Sequence, residues 1–250
     1  MLWVLDLDGV IWLAGTAISG APDAVRRLHA AGETVAFVTN NSGPTLSEYT
    51  ARLHGAGIEL DEGELVTSAQ AAASLLAPGS RAAAVGGPGL TEALEARGVA
   101  VVPAHDHPAA VVVGRSLELD FGQLAAAAGA IRDGARFLAT NTDATFPTGH
   151  GLEPGAGALV AYLEVGSGRK PEVAGKPHQA AADLLRARFG PAGLVVGDRP
   201  DTDGSFARLI GARFALVLSG VTRAGDLPVS PTPALVEPDL AAVVAAQLGP

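Results

Sequence analysis

The sequence predicts an α/β protein built mainly on parallel sheet, and three observations carry that expectation. Strand-length apolar runs alternate with helix-length segments along the whole chain. Gly (32 residues) and Pro (17 residues) supply turns and fall at segment ends, where helices start and stop. The side chains best suited to chemistry follow closely on apolar runs, the position at which ligands of open α/β sheets lie.

In chain order, residues 2–7 read as a buried strand and 22–31 as a helix, with Pro22 at its start and Gly32 beyond its end. A second apolar run, 34–38, precedes a helix over 45–57 closed by Gly57, and Val66 followed by 69–76 repeats the pattern. From Arg81 the rhythm restarts, with a strand at 82–85, a helix over 90–97 and strands at 99–102 and 110–113. A helix over 121–132, a strand at 136–139 and a helix over 156–164 follow. The remainder reads as helix 179–188, strand 194–196, helix 202–209, strand 214–218 and helix 239–248. The Pro-rich stretch 228–233 reads as a rigid surface turn.

Composition bounds the function. At 250 residues and 25.0 kDa the chain can form one large domain or two modest ones. Its apolar stretches, such as 240–246, stop far short of a membrane span, and no basic segment leads into an apolar one, so no secretion signal is expected. The absence of Cys removes disulfides, zinc–thiolate sites and thiol nucleophiles together. A cytoplasmic location is the expectation. A net charge of -9 without a Lys/Arg run argues against a nucleic-acid partner. An anionic substrate must then be drawn by local charge and metal.

Two acids, Asp6 and Asp8, sit where an apolar run breaks into the turn at Gly9. Strand side chains alternate, so both acids face one way while the strand lasts, and Leu5 and Leu7 face a core. Paired carboxylates at the end of a buried strand are costly unless a cation lies between them. A hard divalent ion such as Mg2+ meets that need, leaving one carboxylate as a nucleophile and the other as a proton carrier. A solvated edge strand is the alternative, and the apolar flanks Leu2-Trp3-Val4 and Val10-Ile11-Trp12 weigh against it.

Three more segments end apolar runs with complementary groups. Thr39-Asn40-Asn41-Ser42 offers a hydroxyl and amides at a helix entrance, which suits a phosphate. Lys176, between Gly175 and Pro177, can neutralise an anion, and Gly197-Asp198-Arg199-Pro200-Asp201-Thr202-Asp203 is an acid cluster past a buried strand. Singly, each has an ordinary explanation: Thr39 as a cap, Lys176 as a solvated side chain, Asp201 and Asp203 as acids at a helix N-terminus. Competing motifs fail. No stretch carries a complete dinucleotide fingerprint, a Walker A loop or a Gly-x-Ser-x-Gly elbow, and His105 and His107 lack a third ligand.

Taken together, Asp6-Leu7-Asp8-Gly9, Thr39-Asn40-Asn41, Gly175-Lys176-Pro177 and Gly197-Asp198-Arg199-Pro200-Asp201-Thr202-Asp203 resemble the four motifs of the haloacid dehalogenase superfamily. The second and fourth are similar to those of its NagD-like phosphatase branch. The resemblance implies a Rossmann-like core over 1–79 and 173–250 with an α/β cap inserted over 80–172. Only 31 positions separate Asp8 from Thr39, whereas 137 separate Thr39 from Lys176 and hold that cap. The crossings near Pro78-Gly79 and Lys170-Pro171 read as linkers between separable parts, the cap acting as a lid.

The implied activity is Mg2+-dependent hydrolysis of a small phosphate monoester through an aspartyl-phosphate. In it Asp6 is the nucleophile, Asp8 the acid and base, and Thr39 and Lys176 hold the phosphoryl oxygens with amides near Gly9 and Asn40. Asp6, the backbone carbonyl of Asp8 and Asp198 hold the metal, and Asp203 supports it from outside. Asp8 also favours phosphoryl transfer over dehalogenation, since a halide needs no proton. Pro200 and Gly204 depart from the usual Leu and Ile beside Asp198. A catalytically silent binding protein on the same fold is the alternative, against which the complete motifs weigh. In the cap, Asn141, Arg115 and His150 are the candidate substrate residues, although Thr140-Asn141-Thr142-Asp143 also reads as an Asx turn. The expected partner is a small phosphorylated metabolite, with a homodimer admissible and neither nucleic acid nor membrane involved.

Overall fold

Residues 1–60 and 63–249 are described by the computed structural model. β1 (Leu2–Leu5) is buried at every position, with Trp3 and Leu5 packed into one apolar cluster and Leu2 and Val4 into another. It ends at Leu5 rather than Leu7 because the chain turns at once: the carbonyl of Leu7 accepts the N–H groups of Val10, Ile11 and Trp12. Asp6 and Asp8 therefore do not share a strand face.

A flap hairpin follows, β2 (Trp12–Leu13) and β3 (Thr16–Ala17), then α1 (Ala21–Ala30), with Pro22 in its first turn. β4 (Thr34–Thr39), α2 (Leu46–Gly55), β5 (Leu65–Thr67) and α3 (Ser68–Ser74) complete the first series. α2 starts with a reciprocal cap: the Thr45 hydroxyl accepts from the Glu48 N–H, and the Glu48 carboxylate accepts from the Thr45 N–H.

The second series comprises β6 (Arg81–Val85), α4 (Pro88–Ala96), β7 (Ala100–Val101), β8 (Ala110–Val113), α5 (Phe121–Arg132) and β9 (Arg136–Ala139). It continues through an antiparallel hairpin, β10 (Thr145–Thr148) and β11 (Gly151–Pro154), then α6 (Ala156–Ser167) and β12 (Glu172–Val173). The chain closes with α7 (Gln179–Phe189), β13 (Leu194–Gly197), α8 (Ser205–Ile210), β14 (Arg213–Val217), β15 (Leu235–Glu237) and α9 (Leu240–Leu248). Between β13 and α8, Pro200–Gly204 forms one turn of π-helix where the sequence suggested a continuous helix from Thr202.

Two parallel sheets result. Six strands run in the order β15-β14-β13-β1-β4-β5, and five in the order β12-β9-β8-β6-β7. In the larger sheet the order reverses at β1, the switch point at which such sheets bind ligands. α1, α2 and α9 cover one face through Val25, Leu28, Tyr49, Leu53 and Val243. α3, α7 and α8 cover the other, and the same apolar cluster continues through Leu90 and Leu94 of α4 to Val112 and Leu138 of the smaller sheet. The far face of that sheet packs on α5 and α6 through Leu124, Ala127, Val160 and Leu163. No helix among the described residues is long and apolar enough to cross a membrane.

Candidate active site

The carboxyl ends of β1, β4 and β13 deliver Asp6, Thr39-Asn40-Asn41 and Asp198 to one cleft, joined by Lys176 and by Asp203 from the π-turn. Lys176 is 4% exposed, and its Nζ donates to Asp6 Oδ1 and Asp203 Oδ1, each at 2.7 Å. Burial alone would lower its pKa, but the charges of Asp203 and Asp6 outweigh that and hold it raised, so Lys176 stays protonated. Asp6 is raised well above the usual carboxylate range by burial, with Lys176 opposing and the charges of Asp203 and Asp198 adding to the rise.

Asp8 stands apart from these acids. Its Oδ1 accepts from the indole Nε1 of Trp12 at 3.0 Å, and burial pushes its carboxyl up to about 6 against that contact. A metal contact from Asp8 would thus come from its backbone carbonyl, as the motif implies. Gly9 departs from expectation. Its N–H donates to the Trp12 carbonyl at 2.6 Å and is not free for a phosphate. What Gly9 provides is room: at φ 90, a Cβ there would lie 2.5 Å from Asp198 Oδ2.

Asp198 is 1% exposed, and burial followed by the charge of Asp203 pushes it up to about 7. Its Oδ2 accepts from the Val221 N–H at 2.6 Å, while Oδ1 is buried without a partner. Asp6, Asp198 and Asp203 each offer an oxygen within 4.8 Å of the others. An all-oxygen set with an unpartnered buried carboxylate oxygen fits a hard divalent ion such as Mg2+. Both oxygens of Asp203 are already engaged, by Lys176 and by the Arg199 N–H at 3.1 Å.

The phosphate loop is tied to the second unit. Asn40 Nδ2 donates to the Lys176 carbonyl at 3.0 Å and to Asp143 at 3.2 Å, while its own carbonyl accepts from Asn141 Nδ2 at 2.6 Å. Thr140 Oγ1 donates to Ser42 Oγ at 3.0 Å. Asn141 Oδ1 accepts from the Asp143 N–H at 3.1 Å, the Asx turn that the residue types suggested, and both residues line the cleft. Arg115 lines it as well. His150 does not: it is exposed at the tip of the β10–β11 hairpin.

Arg199, Thr145, Phe146 and Pro147 line the cleft without having been singled out from the sequence. The alternation Thr145-Phe146-Pro147-Thr148 before Gly149-His150-Gly151 was the available signal for a hairpin. The cleft encloses about 50 Å³. A larger cavity of about 510 Å³ adjoins it through Asp8, Asn41, Phe146 and Pro147, between the flap hairpin, α2 and the β10–β11 turn.

Acids at the carboxyl edge of a parallel sheet, gathered around a buried lysine, define a phosphoryl-transfer site. Residues 3–100 match the family described as haloacid dehalogenase-like hydrolase, and 173–243 match a second pattern of HAD-hydrolase-like proteins. A D-glycerol 3-phosphate phosphatase of Mycobacterium tuberculosis is 41% identical over 89% of this chain, which spans 64% of that protein. A structure of glycerol phosphate phosphatase from that organism with magnesium superposes at TM-score 0.90, with 38% identity, covering 97% of this chain and 75% of that one. An acid sugar phosphatase of Staphylococcus aureus is 32% identical over 90% of this chain and 89% of its own. NagD from E. coli superposes at TM-score 0.84 with 31% identity, covering 96% of each chain. The chain belongs to the haloacid dehalogenase-like hydrolases and is similar to their NagD-like phosphatases.

Proposed function

We propose that the protein hydrolyses phosphate monoesters of small metabolites through an aspartyl-phosphate on Asp6. The observation that carries the reading is the division between two acids: Asp6 gripped by Lys176 among carboxylates, and Asp8 set apart on Trp12 with a carboxyl near 6. A carboxylate oxygen of Asp6 attacks phosphorus as the ester O–P bond breaks, and Asp8 gives its proton to the departing alkoxide oxygen. Asp8 then takes a proton from the water that attacks the aspartyl-phosphate, releasing phosphate and restoring the Asp6 carboxylate. Lys176, the Thr39 hydroxyl and the Asn40 amide hold the phosphoryl oxygens. Asp6, Asp198 and the carbonyl of Asp8 would hold a Mg2+ ion, with Asp203 supporting that set, and the bound ion would supply positive charge against those oxygens.

The unit built on the five-stranded sheet acts as the cap, over 80–172 with its last strand running one residue further to Val173, on a core of 1–79 and 173–250. Its polar ties to Asn40 and Ser42 and a cleft of about 50 Å³ favour small esters, the size class that the names of the glycerol phosphate and sugar phosphatases suggest. A cytoplasmic location suits such substrates. Asp6→Asn, whose side chain keeps the shape but not the nucleophile, is expected to lose essentially all turnover of p-nitrophenyl phosphate while its circular dichroism is unchanged. Activity near that of the parent would refute the covalent mechanism.

A further inference from the structure

Arg115 is a cleft residue whose chemistry the hydrolysis does not use. It follows β8, and its guanidinium lies 4.2 Å above the ring centroid of Phe146 on the opposing hairpin. The side chain is 13% exposed, yet Nη2 meets a single acceptor, Glu153 Oε2 at 3.3 Å, and the buried Nε has none. A guanidinium has five N–H donors in a planar fork, and one this desolvated normally has most of them matched. Its partner Glu153 is 45% exposed and so is itself half-solvated. Arg115 lines the cleft together with Asp6 and Asp8, and Phe146, on which its guanidinium lies, lines the larger adjoining cavity together with Asp8. Asp8 serves the departing oxygen in the proposed reaction, so the Arg115–Phe146 pair stands beside the space a leaving group would occupy.

We propose that Arg115 selects phosphate esters whose leaving group carries a carboxylate within a few bonds of the ester oxygen. A carboxylate matches the guanidinium fork in two parallel hydrogen bonds, and its planarity suits a slot floored by Phe146. Glu153 then acts as a stand-in that holds the guanidinium in position until the substrate anion arrives. The inference rests on the phosphatase reading above and adds a substrate class to it.

The test is steady-state kinetics of the Mg2+-loaded enzyme on matched pairs: 2-phosphoglycolate against 2-hydroxyethyl phosphate, and 3-phosphoglycerate against glycerol 3-phosphate. p-Nitrophenyl phosphate serves as the common reference. The parent should favour the carboxylate member of each pair in kcat/KM. Arg115→Met should cut kcat/KM for the carboxylate esters by about tenfold to a hundredfold, mostly through KM, and leave the neutral esters and the reference within about threefold. Glu153→Gln, which removes the rival anion, should lower KM for the carboxylate esters alone. Equal losses on every ester in Arg115→Met would make Arg115 structural and overturn the proposal, as would a parent that prefers the neutral esters. If p-nitrophenyl phosphate itself is not hydrolysed, the phosphatase reading fails first.

Discussion

Asp8 meets the indole N–H of Trp12 at 3.0 Å, a contact that opposes the burial raising its carboxyl to about 6. Removing the donor in Trp12→Phe leaves burial less opposed, so the Asp8 pKa rises further and its acid form persists to higher pH. For an ester with a poor leaving group, where the proton from Asp8 matters most, the alkaline limb of the kcat/KM profile should move to higher pH. A limb that stays put or moves down would show that Trp12 does not tune the acid. At this scale the sequence was informative where chemistry restricts residue choice. Asp6, Thr39, Lys176 and Asp198 were legible because few other side chains serve at such positions. The grip of Lys176 on Asp203 was not legible, since nothing local links positions on separate loops. The same holds for the N–H of Gly9, which a turn consumed.

Elements were legible where apolar period and end signals agreed. α2 is such a case, from its Thr45 cap to Gly57 beyond its end. Thr45→Ala removes one side of the reciprocal cap and should lower stability to urea by about 1 kcal/mol, leaving turnover of p-nitrophenyl phosphate intact. An unchanged unfolding midpoint would mean that Glu48 alone secures the helix start. The β10–β11 hairpin was missed because its strands are four residues each, only partly buried, and interrupted by Pro147 and Pro154. The π-turn was also illegible. It takes its shape from packing at Gly204, where a Cβ would lie 2.8 Å from Pro231 and 3.0 Å from Phe214. An isoleucine there has no room, so Gly204 goes with the Pro-rich segment that the sequence alone presented as a plain surface turn.

Across the whole molecule, alternation of strand and helix was enough to anticipate mainly parallel sheet covered on both faces, while its division into two sheets was implied by the motif resemblance. The continuity between them was not, since a sequence does not announce that α3 and α4 share one apolar cluster. The acid-rich edge of the larger sheet makes stability depend on pH. Asp198 at about 7 and Asp8 at about 6 bind protons more tightly when folded than at their ordinary 3.8. Their contribution is therefore full below the ordinary carboxylate range and is lost as pH rises through about 6 to 7. Metal-free protein should melt at a lower temperature near pH 8 than near pH 5.5, and Mg2+ should raise the melting temperature more at the higher pH. A metal-free melting temperature that climbs with pH would contradict that assignment.

The cavity of about 510 Å³ beside Asp8 bears on what becomes of the phosphoryl group once it is on Asp6. With Asn40 and Ser42 tied to the loop at Thr140–Asp143, the gap between flap and hairpin opens onto Asp8. On the proposed mechanism the departing alcohol and the incoming water would share that gap, and the base that activates one hydroxyl can activate another. Hydrolysis and transfer are then two outcomes of a single competition, decided by which hydroxyl compound occupies that doorway when the phosphoenzyme is formed.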